Sequence, residues 1–303
     1  MNSEPAPATR DAITPQVVRS DVPGPHLVTT EEPARRSRAG RNLPVAVAVS
    51  VGLAALVLVS LFTVKDIFVG VVIVAMFVAI WELGTSMREH AIRLPYVPVG
   101  VGSAAILVAA YAKGTDGLVA AFGLTVVAVL VWRLLDGQEG YLRDVTAGVF
   151  VTSYLPLLAG FAMLMLAEDD GARRILFFII VVIASDIGGY AVGVLFGRHP
   201  MAPSISPKKS WEGFGGSVAL CVVAGGVGVP VLLDGEWWQG VLIGLAVVCT
   251  AVLGDLAESM IKRDLGVKDM GSLLPGHGGL MDRLDSLLPS APVVWLLLVA
   301  FLS

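Results

Sequence analysis

The chain has 303 residues, of which 55% are hydrophobic and 15% charged, with a net charge of −4 and a mean hydropathy of +0.79. Soluble globular domains carry about 25% charged residues, so this composition excludes an ordinary soluble enzyme and indicates an integral membrane protein. Neither a disulfide framework nor a cysteine metal site is indicated, because Cys221 and Cys249 lie in apolar runs without a CxxC pattern or a neighbouring histidine.

Residues 1–42 differ from the rest of the chain. They are rich in proline and charge and lack apolar clusters, and such a composition cannot bury enough apolar surface to fold. We therefore predict a disordered cytoplasmic tail. The first apolar run after it is long enough to cross a bilayer, which is typical of a retained anchor and not of a cleaved signal peptide.

About nine apolar runs follow, most of them close to the roughly 20 residues that a helix needs to cross a bilayer. The predicted spans are 44–63, 67–86, 96–112, 117–135, 145–166, 174–197, 213–233, 238–256 and 287–302. The sequence thus predicts an all-α polytopic membrane protein. Its N-terminal transmembrane helices occupy 43–139, and a second membrane domain at 140–303 carries the polar motifs described below.

The distribution of Lys and Arg predicts the orientation. With a cytoplasmic tail, all but four of the 21 Lys and Arg residues fall in cytoplasmic segments, and the exceptions are Lys65, Lys113, Arg173 and Arg174. The positive-inside rule therefore places the N terminus in the cytoplasm. Two polar loops, 198–212 and 257–286, then face the cytoplasm, so their ligands come from the cell interior or the inner leaflet.

The first motif is GDLAESMIKRDLGVKDMGSLLPGHGGLMDRLD at 254–285. On a helix, Asp255, Glu258 or Ser259, and Lys262 recur at steps of three or four and share a face. Asp282 and Asp285, three residues apart, can share another. Carboxylates at a membrane surface suit Mg²⁺, which takes oxygen ligands and is commonly shared with substrate phosphates. The neighbouring cations are Lys262, Arg263, Lys268 and Arg283.

Within this motif, PGHGG supplies a glycine loop. Gly276, Gly278 and Gly279 allow positive φ and a close approach to a ligand. A helix starting near Leu280 would point its free N–H groups at the loop, where phosphate could bind. The alternative is an ordinary glycine turn with its charges on a solvated face. The cluster of aspartates and cations within about 30 residues favours the functional interpretation.

The second motif is ASDIGGYAVGVLFGRHPMAPSISPKKSWEGFGGS at 184–217. Asp186 lies about 16 Å along its predicted helix, near mid-membrane, where a carboxylate indicates a functional site or a polar cavity. A structural hydrogen bond is the alternative. In SPKKS, Lys208 and Lys209 between two serines suit phosphate oxygens, and the alternative is a positive-inside anchor with Trp211 at the interface.

These motifs resemble the phosphatidate cytidylyltransferases, also called CDP-diacylglycerol synthases. The resemblance rests on S-x-x-K-R-x4-K-D-x-G-x2-L-x-P-G-H-G-G-x2-D-R-x-D at Ser259–Asp285, on D-x-G-x-Y at Asp186–Tyr190 and on S-P-K-K-S-W-E-G at Ser206–Gly213. It covers roughly 140–303, whereas the earlier spans match only as hydrophobic helices. Ser185 stands where the family often has Asn, so a role for that side chain is not implied.

The resemblance implies that 140–303 is a catalytic cytidylyltransferase domain in the cell membrane, with its active site facing the cytoplasm. The implied reaction converts CTP and phosphatidic acid into CDP-diacylglycerol and pyrophosphate with Mg²⁺, and K⁺ is implied as a second cation. By analogy, Asp255 and Asp282 are the metal ligands, and Asp285 lies in or near the metal site. A homodimer in the bilayer is expected, and nucleic acid is not expected as a partner.

The remaining roles follow as hypotheses. Phosphates of the two substrates are assigned to Lys208, Lys209, Lys262 and Arg263, and hydroxyl donors to Ser206, Ser210 and Ser259. Further substrate-binding residues are Asp186, Lys268, Gly278, Gly279 and Arg283. His277 is placed among the catalytic residues, where it either donates to the leaving pyrophosphate or fixes the loop.

Three other functions compete with this interpretation. A CDP-alcohol phosphatidyltransferase needs an aspartate motif beginning D-G-x2-A-R, and DGQEGYLRD at 136–144 lacks the Ala-Arg pair. A prenyltransferase of the aspartate-rich type needs two D-x2-D clusters, and only Asp282–Asp285 fits. An ion-coupled transporter would use Asp186 as its coupling site, but transporters often carry repeats, and residues 1–150 hold no copy of the charged loop.

Overall fold

A computed structural model describes residues 43–271, 273 and 278–302. Its α-helices are α1 (Leu43–Thr63), α2 (Lys65–Arg88), α3 (Tyr96–Leu135), α4 (Tyr141–Thr152), α5 (Leu158–Ala167), α6 (Gly171–Phe196), α7 (Trp211–Leu233), α8 (Trp237–Asp264) and α9 (Leu287–Leu302). A π-helical segment, Ser153–Leu157, joins α4 to α5. Strands β1 (Pro200–Ala202) and β2 (Ser206–Ser210) form an antiparallel hairpin, which the all-α prediction did not include.

The helices are those of a multi-pass membrane protein. Within the described residues, six helical stretches are long and apolar enough to cross a membrane, and they are α2, α3, the continuous stretch from α4 to α5, α6, α7 and α8. Each predicted apolar run lies within one of these stretches, or within α1 or α9, to within one residue, although the helices extend up to eight residues beyond the runs. The prediction of a helical membrane protein is therefore confirmed.

Helix α3 contains two of the predicted runs and folds back on itself. Gly114 has φ 66° and ψ −150°, a conformation that breaks the helix and that side-chain-bearing residues rarely adopt. On either side of it, Gly102 packs so closely on Thr125 that a Cβ at Gly102 would lie 2.1 Å from the threonine methyl carbon. In a straight helix these residues would be about 35 Å apart, so the two halves of α3 form a helical hairpin.

Glycines bring α6, α7 and α8 into backbone contact. A Cβ at Gly216 of α7 would lie 2.5 Å from the carbonyl oxygen of Gly188 in α6. Further along α7, a Cβ at Gly225 would lie 2.1 Å from the carbonyl oxygen of Gly240 in α8. Small residues of this kind allow close packing of helices in a bilayer. These contacts fix the three helices that surround the polar motifs.

Two adjacent glycines of α7 provide a test of this packing. We expect Gly216→Ala to destabilise the protein by about 1–3 kcal/mol, because the new methyl group overlaps the α6 backbone. Gly215→Ala is the matched control, since a Cβ at Gly215 meets nothing within 4 Å. The measurement is the thermal unfolding midpoint in detergent. Equal midpoints for the two variants would contradict the tight packing of α6 on α7.

The chain after the glycine loop differs from the prediction. A helix was expected to start near Leu280, but the structure has a single 3-10 turn at Met281–Arg283, and α9 begins only at Leu287. The N–H groups nearby are already taken, because Gly279 donates to Asp282 and Met281 donates to Glu82. The prediction of free helix N–H groups beside the loop is therefore wrong for the described residues.

Candidate active site

A cavity of about 420 Å³ lies where the two sequence motifs meet. Its walls come from α6, β2, the start of α7, the middle of α8, and residues 282–286. The polar and charged side chains that line it are Ser185, Asp186, Tyr190, Ser206, Lys208, Lys209, Ser210, Ser217, Asp255, Asp282, Arg283, Asp285 and Ser286. Residues that are up to 100 positions apart in the sequence thus share one site.

Nine of the predicted site residues line this cavity, and they are Asp186, Ser206, Lys208, Lys209, Ser210, Asp255, Asp282, Arg283 and Asp285. Among the described residues, the predicted site residues outside its lining are Ser259, Lys262, Arg263, Lys268, Gly278 and Gly279. Gly278 has φ 84°, as a glycine turn requires. Gly276 and His277 lie outside the described residues.

Lys209 connects the β-hairpin to α8. Its ammonium nitrogen lies 2.5 Å from the Oδ2 atom of Asp255 and 3.4 Å from the carbonyl oxygen of Val252. The side chain of Lys209 is only 20% exposed, so its positive charge faces the cavity and is partly shielded from water. This cation on one wall is thereby fixed beside a carboxylate on the opposite wall.

The hairpin is held at both ends. Ser210 is the N-cap of α7, and its hydroxyl oxygen accepts a hydrogen bond of 3.1 Å from the N–H of Gly213. At the other end, the guanidinium of Arg263 donates to the carbonyl oxygen of Ser204, in the turn between β1 and β2. Arg263 therefore supports the hairpin, and β2 presents Ser206, Lys208 and Lys209 to the cavity from a fixed position.

Lys262 lies behind the cavity wall and bridges two acids. Its ammonium nitrogen is 2.9 Å from Glu258 and 2.9 Å from Asp282. Glu258 is completely buried, one helical turn before Lys262, as the predicted helical spacing requires. Because the ammonium group of Lys262 is paired with both acids, it holds the side chain of Asp282 in one orientation.

Asp282 also organises the backbone around it. Its Oδ2 atom accepts hydrogen bonds from the N–H groups of Gly279 at 2.9 Å and Met270 at 3.3 Å, and its Oδ1 atom faces Lys262. Both oxygens are thus engaged with the protein, although the side chain still lines the cavity. Asp282 joins the two arms of the segment 265–286 between α8 and α9, called the signature loop below, because Met270 lies on the first arm and Gly279 on the second.

Three further carboxylates, those of Asp186, Asp255 and Asp285, form a cluster of negative charge at the cavity. Asp186 lies within electrostatic reach of Asp255 and Asp285. Burial and the charge of Asp255 raise the pKa of Asp285 above its ordinary value. Ser286 contacts both sides of this group, because its hydroxyl donates to Asp186 at 3.4 Å and its N–H donates to Asp285 at 2.7 Å.

The donor set fits a hard divalent cation. Among the described residues, no three His, Cys, Asp or Glu side chains are already arranged as a complete metal site. Mg²⁺ does not require one, because it is commonly held by one or two carboxylates, by water and by substrate phosphates. The carboxylates of Asp186, Asp255 and Asp285 repel one another around the cavity, and a cation would relieve that repulsion.

Several polar residues at the site were missed by the sequence analysis. Ser286 and Ser217 gave no signal beyond their position in the motifs, and the hydroxyl of Ser217 donates to the carbonyl oxygen of Ser185 at 2.7 Å. Glu82 gave a signal that was not used. It is a carboxylate inside the predicted span 67–86, which is the same pattern that singled out Asp186.

Comparisons with known proteins identify the family of this chain. The model of the cytidylyltransferase family matches residues 44–301. A protein of Mycobacterium leprae (strain TN) named phosphatidate cytidylyltransferase is 42% identical over 96% of this chain and 98% of its own length. Proteins of the same name from Mycobacterium bovis (strain ATCC BAA-935 / AF2122/97) and Mycobacterium tuberculosis (strain ATCC 25618 / H37Rv) are each 43% identical over 88% of this chain, covering 92% and 86% of their own lengths. The chain therefore belongs to the cytidylyltransferase family.

Proposed function

We propose that the cavity between β2, α6, α8 and residues 282–286 is the site where the cytidylyl group of CTP is transferred to phosphatidate. The observation that carries this proposal is the placement of Lys208 and Lys209 opposite Asp255 and Asp285 in one cavity. Membership of the family and the names of relatives that match nearly the whole chain support the same reaction. Its products are CDP-diacylglycerol and pyrophosphate.

The chemistry suits such a site. A phosphate oxygen of phosphatidate attacks the α-phosphorus of CTP, and the bond from that phosphorus to the oxygen of the β-phosphate breaks as pyrophosphate leaves. The attacking oxygen is already ionised, so no strong general base is needed. Alignment of the two substrates and neutralisation of their phosphate charges supply most of the rate enhancement. Both tasks require cations fixed in position, as Lys209 is.

We assign the cations to two tasks. Lys208, Lys209 and Arg283 line the cavity and bind phosphate oxygens, with Ser206 as a hydroxyl donor. Lys262 and Arg263 were also predicted to bind phosphate, but their contacts favour a supporting role, through Asp282 and through the β-hairpin respectively. Ser210 is already used as the cap of α7.

Mg²⁺ is the cofactor that this reaction is expected to need, and it would neutralise charge on the nucleotide phosphates when bound. Asp255 and Asp282 remain the predicted ligands. The position and burial of Asp285 support it as a further metal ligand. Asp282, in contrast, has both carboxylate oxygens engaged in contacts with the protein. K⁺ as a second cation and a homodimeric assembly remain predictions from the family resemblance.

The same proposal includes a topology. If α3 crosses the membrane twice, as its fold at Gly114 permits, and the shorter α1 and α9 each cross once, the described helices supply the nine predicted spans. A cytoplasmic N terminus then places the β-hairpin and the signature loop on the cytoplasmic side, where CTP is available. The distribution of Lys and Arg supports this orientation.

One assay in two arms tests the reaction and the orientation. Purified protein given radiolabelled CTP, phosphatidate and Mg²⁺ should form a labelled lipid and release pyrophosphate. Failure of correctly folded protein to form this lipid in several detergents and lipid mixtures would overturn the proposed reaction.

In the second arm, CTP is added outside sealed membrane vesicles that contain the protein. Inside-out vesicles should be active at once, whereas right-side-out vesicles should become active only after permeabilisation, because CTP does not cross a bilayer. Vesicles with Asp282→Asn give the background. Immediate activity in right-side-out vesicles would contradict a cytoplasmic active site without affecting the proposed reaction.

A further inference from the structure

Glu82 is a buried acid that connects the N-terminal helices to the signature loop. It lies on α2, outside the region where the sequence motifs were found, and its side chain is 1% exposed. Its Oε2 atom accepts a hydrogen bond of 2.9 Å from the N–H of Met281, which precedes Asp282. A carboxylate buried among apolar helices is costly unless it has a specific task.

The loop is shaped to receive this carboxylate. A Cβ at Gly271 would lie 2.2 Å from the Oε1 atom of Glu82, and a Cβ at Gly279 would lie 2.7 Å from its Oε2 atom. Any side chain at either glycine would therefore displace Glu82 or the loop. One turn further along α2, the single hydroxyl proton of Ser86 lies between the carbonyl oxygens of Glu82 at 3.3 Å and Met270 at 3.4 Å. Both arms of the loop thus rest on one face of α2.

The contacts of Glu82 and Asp282 alternate along the same short backbone. Asp282 accepts hydrogen bonds from the N–H groups of Met270 and Gly279, and Glu82 accepts one from the N–H of Met281, the first residue of the 3-10 turn. Asp282 holds the two arms together and is tied to α8 through Lys262. Glu82 adds a separate attachment of the same segment to α2.

We propose that Glu82 is a positioning residue for the reaction, acting through the Met281–Arg283 turn to place Asp282 and Arg283 at the cavity. This inference rests on the proposed function of that cavity. It extends the catalytic apparatus into α2, where only generic hydrophobic helices were expected from the sequence but which the family match over residues 44–301 includes. A carboxylate is suited to the task because its oxygens only accept hydrogen bonds, and Oε2 of Glu82 accepts one from the N–H of Met281. Among the described residues, the Oε1 atom of Glu82 has no hydrogen-bond partner, so the bond to Met281 is the contact on which the attachment depends.

The test compares Glu82→Ala, Glu82→Gln and a control, Asp144→Asn. Asp144 is also fully buried and also accepts a backbone N–H, that of Arg93 at 3.0 Å, but it lies on α4 and pairs with Arg133. Glu82→Ala should lower kcat by about tenfold or more in the folded protein, since small misplacements of reacting groups are costly. Glu82→Gln keeps one acceptor oxygen and should recover most of that loss. Asp144→Asn should lower the thermal midpoint without a comparable fall in kcat per folded molecule.

Hydrogen exchange provides a second readout that does not depend on turnover. In Glu82→Ala, the amides of residues 278–285 should exchange faster than in the wild-type protein, while those of the α6–α7 contact remain unchanged. An unchanged kcat in Glu82→Ala, or a loss that only follows the folded fraction as in Asp144→Asn, would overturn the inference. Inactive wild-type protein would instead refute the proposed function, and the exchange result would still report whether Glu82 holds the turn.

Discussion

Asp282→Asn is expected to abolish turnover, by at least about 100-fold, in a protein that still folds in the membrane. The asparagine side chain loses the charge that pairs with Lys262 and keeps only one oxygen for the N–H groups of Met270 and Gly279. The Nδ2 group of asparagine is itself a hydrogen-bond donor. It would then face either the Lys262 ammonium or the N–H groups of Met270 and Gly279, which are also donors. The signature loop should therefore lose its fixed geometry at the cavity wall, together with one of the predicted metal ligands.

Asp264→Asn is the matched control for this experiment. Asp264 is an exposed aspartate at the end of α8, two residues beyond Lys262, and its variant should be as active as the wild-type protein. Turnover is measured with purified protein in the lipid assay, and folding by size-exclusion profile and thermal midpoint. Near-normal activity of Asp282→Asn would remove Asp282 from the active site.

Lys209→Met should reduce kcat/KM by about 100-fold or more, because it removes a preorganised cation from the place where phosphate charge is bound. It also leaves Asp255 without its ion-pair partner, beside two further carboxylates that already repel it. A partly buried charge that loses its partner is strongly unfavourable. Binding of an anionic substrate should suffer most, so the KM for CTP is expected to rise.

The adjacent lysine distinguishes this effect from a general loss of positive charge. Lys208 lines the same cavity, but it is exposed, and the ion pair with Asp255 belongs to Lys209. Lys208→Met should therefore cost less, about tenfold, as expected for a more solvated charge. Comparable losses in the two variants, or a larger loss for Lys208→Met, would show that the pair with Asp255 has no special role.

The helices could be predicted because bilayer burial acts on long stretches of sequence. Every predicted apolar run coincides with a helix, and the spacing of Glu258 and Lys262 correctly predicted that they share a helical face. Breaks in helices and short strands were harder to predict from the sequence. The fold of α3 depends on the single residue Gly114, and the strands on either side of the 203–205 turn are only three and five residues long, so neither produces a periodic signal.

The site was predictable as a set of residues but not as a set of roles. Motif spacing brought Asp186, Lys209 and Asp255 to attention, and the structure places them in one cavity. The same spacing could not show that Lys262 faces two acids or that Arg263 supports a hairpin turn, because these roles depend on contacts between distant segments. Glu82 lies nearly 200 residues from the loop it contacts, so its place in an apolar span marked it as unusual but could not show which segment it holds.

The position of Tyr190 bears on how the enzyme handles its lipid. Its side chain lines the cavity and is 75% exposed, so the cavity is open beside α6, one of the helices long and apolar enough to cross a membrane. A headgroup that enters past this residue leaves its acyl chains dissolved in lipid. Withdrawing one chain of about 16 carbons into water would cost on the order of 12 kcal/mol at about 0.8 kcal/mol per CH2 group. An entrance from the bilayer at Tyr190 would remove that barrier from every catalytic cycle.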